Sequence, residues 1–213
     1  MEKIYFDDTT FVWKTKLNLL EDKTIFLKEA EYFISLIPNS TNDSYPIIKE
    51  WNNDLDFKGK VSGDVNLYRI IQLGIDSCKN IYDEKQLPYN KINVESWVNV
   101  VRSKNPIQPN FYNDEEKYHT HTEINKENKS FFPNYTFVYY IQMPDMMDNE
   151  DGVLYVMSKS GKEYFIMPEE DDLIIMEGDL PHAPNNAPNS NIDRIVVACN
   201  VGFDFIKKEK SLI

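Results

Sequence analysis

Tyr135-Thr136-Phe137-Val138-Tyr139-Tyr140-Ile141 has an aromatic or β-branched residue at every position. These residue types fit a pleated, packed surface, so the run reads as a buried strand. Strand side chains alternate between faces, which places Thr136, Val138 and Tyr140 together on one of them. Upstream, Val94-Glu95-Ser96-Trp97-Val98-Asn99-Val100-Val101 has the same character. Downstream, Val153-Leu154-Tyr155-Val156-Met157 and Glu163-Tyr164-Phe165-Ile166 flank a turn at Ser160-Gly161. Asp172-Leu173-Ile174-Ile175-Met176 follows, and Arg194 to Phe203 is a long apolar run suited to a strand buried on both faces.

The first part of the chain reads differently. Phe11-Val12-Trp13 is a candidate short strand. From Lys23 to Ile37, Phe26, Ala30, Phe33, Ile34 and Ile37 recur at helical spacing, with Asp22 placed to cap the start and Pro38 to stop the end. Residues 38–63 are rich in Asn, Ser, Pro and Asp and read as loops around Ile47-Ile48 and Trp51. Leu67, Ile71, Ile75, Cys78 and Tyr82 then form one stripe of a second helix, with Ser62 or Asp64 as its cap. No internal repeat is present. Two helices followed by short strands between turn signals predict a mostly β, α+β fold. The expected form is an antiparallel sandwich or jelly roll with the N-terminal helices packed on one sheet. The 213 residues suit a single domain, with 1–90 as the helical N-terminal part and 91–205 as the jelly-roll core.

Composition bounds the function. With 41% hydrophobic residues, 12 Phe and 13 Tyr, the chain can bury a sizeable core. A formal net charge of −12 argues against DNA or RNA as a tight partner, because that affinity comes largely from basic side chains on phosphates. The basic run Lys207-Lys208-Glu209-Lys210 reads as a solvated tail. Cys78 and Cys199 sit in apolar patterns and read as core thiols in a reducing compartment. The N-terminus lacks the apolar segment of a signal peptide and no stretch is long enough to span a membrane, so a cytoplasmic setting is expected, in a bacterium or an infected host cell.

The three histidines carry the chemistry. His119 and His121 lie in Tyr118-His119-Thr120-His121-Thr122-Glu123, and His182 follows in Gly178-Asp179-Leu180-Pro181-His182. A lone H-x-H in a polar loop is usually solvated surface; His182 after one apolar run and Arg194 opening the next change that reading. Two histidines and a carboxylate with open coordination positions form the triad that holds non-haem Fe(II). His121, Glu123 and His182 supply that set. Strand parity puts His119 on the same face, where it competes as the alternate ligand. Arg194 stands in an otherwise apolar run, where a guanidinium is costly unless it meets an anion.

In chain order, Trp97-Val98-Asn99, His119-Thr120-His121, Val138-Tyr139-Tyr140-Ile141, Pro168 through Met176 to His182, and Arg194 through Cys199-Asn200 make a pattern. Across 94–203 it resembles the 2-oxoglutarate/Fe(II)-dependent oxygenases, and most of all the small oxygenases common in phages and marine bacteria. The resemblance implies a double-stranded β-helix, with Fe(II) and 2-oxoglutarate as cofactors. It implies dioxygen and an unidentified substrate as partners, and hydroxylation with release of succinate and carbon dioxide. It gives Arg194 the far carboxylate of 2-oxoglutarate, a role whose planar, always-charged fork suits that group. Tyr140, as the second of the paired tyrosines, would donate to the same carboxylate, and Asn99 would contact 2-oxoglutarate or its surroundings. Met143-Pro144-Asp145-Met146-Met147-Asp148 is a candidate substrate lid.

The departures are specific. Thr136-Phe137 replaces the family's Ser-Gly, Asp171 replaces a glycine before the apolar run, Val196 stands where a serine is common, and Glu123 is the rarer carboxylate. Two other readings stay open. A cupin-type metal protein would use His119, His121, Glu127 and His182 with Asn186, and would not require Arg194. A non-catalytic viral structural or accessory protein would retain the fold alone.

Overall fold

The computed structural model describes residues 1–36, 43–52, 66–85, 88–101, 118–121, 133–145, 150–185, 187 and 190–205. Strands β1 (Glu2–Tyr5) and β2 (Phe11–Lys16) lead through a 3-10 turn (Leu20–Asp22) into helix α1 (Lys23–Ser35). Strand β3 (Asp43–Asn52) precedes helix α2 (Leu67–Glu84). Then come β4 (Tyr89–Val101), β5 (Tyr135–Gln142), β6 (Leu154–Met157), β7 (Glu163–Ile166), β8 (Asp172–Glu177), β9 (His182–Pro184) and β10 (Arg194–Phe205). A seven-stranded sheet runs β1-β2-β8-β5-β10-β4-β3, and a three-stranded sheet runs β7-β6-β9. Every pairing among the described residues is antiparallel.

The alternation expected for β5 organises the two layers. Tyr135, Phe137, Tyr139 and Ile141 point toward the helices and join Phe26, Ala30, Ile34, Ile70, Ile71, Cys78 and Tyr82 in the larger core. The opposite face turns to the smaller sheet, where Tyr140 and Val196 pack with Leu154, Val156, Ile166 and Ile174. Strand β10 is buried on both faces from Arg194 to Val201, as its apolar run indicated. The helices approach the sheet closely at Gly74, where a Cβ would lie 2.3 Å from the Phe137 ring. Both cysteines are buried free thiols in the larger core.

Two local expectations need correction. Part of 38–63 is strand, not loop, since β3 pairs with β4 along an edge of the large sheet. Its Asn, Asp and Pro content hides it, and Pro46 is tolerated because an edge strand does not need every N–H. Asp22 does not cap α1. Its carboxylate pairs instead with Arg69 on α2. Ser62 and Asp64 lie outside the described residues; the α2 start is held by Glu29 of α1, whose carboxylate accepts the Asn66 and Leu67 N–H groups at 2.9 Å each. One carboxylate thereby satisfies orphan donors of the next helix and pins the two helices together. Among the described residues, no helix is long and apolar enough to cross a membrane.

Candidate metal and co-substrate site

The site lies between the sheets. Segment 118–121 runs antiparallel to β9: the His119 N–H donates to the His182 carbonyl at 3.1 Å, and the His182 N–H returns to His119 at 3.0 Å. The His121 N–H donates to the Gly178 carbonyl at 3.0 Å. Gly178 must be glycine here, because a Cβ would lie 2.3 Å from the Pro133 carbonyl oxygen. These backbone bonds bring three imidazoles to one place. One ligand nitrogen from each of His119, His121 and His182 falls within 4.8 Å of the others. His121 and His182 present their Nε2 atoms to each other at 3.3 Å.

Their electrical state suits a metal. Burial lowers the His119 pKa. Burial, aided by His119, pushes His182 down to about 3, against a raising contribution from the Leu180 carbonyl. Neutral imidazole is the ligating form. His182 Nδ1 sits 2.9 Å from the Leu180 carbonyl, which fixes the proton on Nδ1 and leaves Nε2 with its lone pair toward the cluster. Glu123 lies outside the described residues, so the carboxylate expected as third ligand has no described position. His119, expected as the alternate, stands in the cluster.

From the cluster a cavity of about 150 Å³ extends over the inner face of the large sheet. Strand register lays out its floor. Asn99, Val196 and Tyr140 form one row across β4, β10 and β5, and Trp97, Ala198 and Val138 form the next. Leu154 and Pro184 of the small sheet face them. The Trp97 ring stands 5.9 Å from the His121 ring. Arg194 also lines the cavity, only 6% exposed, with one Nη donating to the Asn185 carbonyl at 2.8 Å. Tyr140 is buried beside it; burial holds the phenol far above its usual pKa, while the Arg194 charge pulls the other way. The structure therefore brings His119, His121, His182, Asn99, Tyr140 and Arg194 to one cavity. Glu127 and Asn186, which a cupin would use, lie outside the described residues, as do residues 146–148 of the candidate lid.

Sequence reasoning missed two supporting groups. Thr136 on the cavity floor donates its hydroxyl to Asn200 at 2.9 Å, and the Asn200 amide reaches Glu95 at 3.3 Å, so three strands are tied by one polar row. The second group is Asp171, noted only as a lost glycine. It adopts φ +70, the left-handed conformation a glycine would supply and Asp tolerates better than most residues. Its buried carboxylate accepts the Asn18 and Leu19 N–H groups at 2.8 and 2.9 Å and the Tyr139 hydroxyl at 2.9 Å. The only sequence signal for it was an acid at a position that wants positive φ.

Solved structures with this architecture are known. A Pseudomonas putida prolyl-4-hydroxylase matches with a TM-score of 0.55 at 11% identity, covering 92% of this chain and 93% of that one. IDO from Bacillus thuringiensis matches with a TM-score of 0.54 at 10% identity, covering 90% of each chain. The chain shares their fold. A full-length Neurospora crassa protein in complex with α-KG stands further off, with a TM-score of 0.49, 12% identity, and coverage of 90% of this chain and 74% of that one. No family model and no curated protein matches the sequence.

Proposed function

We propose that this protein is an Fe(II)- and 2-oxoglutarate-dependent oxygenase of the hydroxylase type, built as one domain on a double-stranded β-helix. The observation that carries this reading is a single cavity holding three converging imidazoles together with a buried arginine and a buried tyrosine. A metal alone would need only the imidazoles. A dianion that chelates the metal at one end needs a buried, fork-shaped cation at the other, and Arg194 suits that end. The fold shared with a prolyl-4-hydroxylase fits the same reading.

The donor set suits the metal: neutral nitrogens, of which His121 and His182 already face each other at 3.3 Å. His121 and His182 would hold the ion, with His119 or Glu123 as the third protein ligand. Iron with 2-oxoglutarate and dioxygen supplies the oxidant for a substrate C–H bond, with succinate and carbon dioxide as co-products. Arg194 binds the far carboxylate, and Tyr140, kept protonated by its burial, donates a hydrogen bond to the same group. Asn99 borders that end of the cavity. Val138, Val196, Ala198 and Leu154 keep water from the cavity floor, which strengthens each polar contact made there. Arg194 weighs against the cupin reading, and the convergence of three histidine nitrogens within 4.8 Å weighs against a fold retained without a metal.

The test is an anaerobic titration of Fe(II) and 2-oxoglutarate into the purified protein, followed in the visible. The chelate gives a weak charge-transfer band. Folded, iron-loaded protein that shows no such band with saturating 2-oxoglutarate would sink the oxygenase reading.

A further inference from the structure

We infer that the metal centre is a three-imidazole site, with His119 and not Glu123 as the third protein ligand. This rests on the metal-binding part of the reading above and goes beyond it by choosing between the two candidate ligands. The choice has a chemical consequence. A carboxylate ligand would cancel one of the two positive charges of a divalent ion. Three neutral imidazoles leave both in place for incoming anions.

Several observations carry the assignment. His119 is locked to His182 by a reciprocal pair of backbone hydrogen bonds at 3.0 and 3.1 Å, so its Cα is placed by the fold and not by a free loop. Its ring lies with its centroid 4.4 Å from that of His182 and 5.3 Å from that of His121. The three ligand nitrogens come within 4.8 Å of one another, and they form the group of this kind among the described residues. Two nitrogens bound at about 2.1 Å to one ion lie roughly 3–3.4 Å apart, and the His121–His182 separation of 3.3 Å already matches. His119 is half-buried, and a change of its side-chain rotamer would close the remainder. His182 keeps its proton on Nδ1 through the Leu180 carbonyl, so Nε2 is the lone-pair nitrogen. In the metal-free protein the His121 Nε2–H can then donate to His182 Nε2; metal binding requires the other neutral tautomer of His121, with the proton moved to Nδ1 and the Nε2 lone pair given to the ion.

Only three histidines occur in the chain, which makes the test direct. Protein labelled with ¹⁵N in its histidine rings gives three ring systems in a long-range ¹H–¹⁵N spectrum. On titration with Zn(II), one nitrogen of each of the three rings is expected to move to a metal-bound shift, with saturation at one equivalent. In parallel, Zn(II) and anaerobic Fe(II) affinities are measured for His119→Ala, Glu123→Gln and the wild type. His119→Ala is expected to weaken metal binding at least about tenfold while Glu123→Gln binds as the wild type does; thermal melts confirm that both are folded. Two shifted rings with an unchanged His119 ring, or metal lost in Glu123→Gln and kept in His119→Ala, would overturn the assignment and leave the oxygenase reading intact. Three metal-bound rings in a protein that gives no charge-transfer band with 2-oxoglutarate would do the reverse.

Discussion

Replacing Arg194 separates the proposed co-substrate role from metal binding. The side chain is 6% exposed, and it reaches the cavity from the strand that also carries Val196 and Ala198 to its floor. If it forms a two-pronged pair with the far carboxylate of 2-oxoglutarate, removing it leaves that carboxylate buried without its partner, which typically costs about 3–5 kcal/mol. At about 1.4 kcal/mol per decade, Arg194→Ala should raise the 2-oxoglutarate Kd by at least about a hundredfold. Arg194→Lys keeps the charge and loses the planar fork, so a weakening of roughly tenfold is expected. Iron affinity should stay within about twofold in both, because Arg194 is not a ligand. The assay is calorimetric titration of 2-oxoglutarate into anaerobic, Fe(II)-loaded wild type and the two variants, with iron content checked beforehand. Equal affinities across the three proteins would remove Arg194 from the site and favour a cupin-type centre.

Other changes probe the rest of the site. His121→Ala or His182→Ala should abolish stoichiometric iron binding, measured by equilibrium dialysis under anaerobic conditions; full retention in either would contradict the ligand set. Gly178→Ala forces a Cβ to 2.3 Å from the Pro133 carbonyl, so both the melting temperature and metal affinity should fall, because the Gly178 carbonyl holds the His121 backbone. Asp171→Ala removes the acceptor of three hydrogen bonds and puts a β-carbon without a compensating polar group at φ +70; a loss of about 3 kcal/mol or more is expected in urea unfolding. The folded-state pKa of His182 lies below its ordinary 6.5, at about 3, so the unfolded chain binds the extra proton first. This contribution is complete above about pH 6.5 and is lost as pH falls toward 3. Metal-free wild type should therefore lose melting temperature over that window more steeply than His182→Asn, and parallel pH profiles would show that His182 is not held neutral by the fold.

What could be read from the chain was what repeats locally. The alternation in Tyr135–Ile141 assigns its two faces correctly because sheet packing enforces that period. The stripe from Leu67 to Tyr82 reports a helix for the same reason. Strand β3 was invisible because its stability comes from pairing with β4, while its own residues resemble a loop. The convergence of His119, His121 and His182 was legible from residue type and parity, since a strand pairing turns sequence parity into a shared face. Which group completes the ligand set was not, because His119 and Glu123 have the same parity relative to His121. Asp171 was legible only as a departure, since the groups it binds, Asn18 and Leu19, lie more than 150 residues away along the chain. Asp22 shows the limit of a capping rule: a carboxylate at the right position took the Arg69 guanidinium on another helix instead.

The central claim, that this cavity turns over 2-oxoglutarate, is tested most directly by decarboxylation. Protein reconstituted with Fe(II) is supplied in air with 2-oxoglutarate labelled at the carboxylate next to the keto group, and labelled carbon dioxide is collected. Metal-free protein and Fe(II)-treated His182→Ala serve as controls. Labelled carbon dioxide released well above both controls, with an equal amount of succinate, is the predicted result. Release no greater than the controls, from folded wild type that holds one equivalent of iron, would contradict the claim.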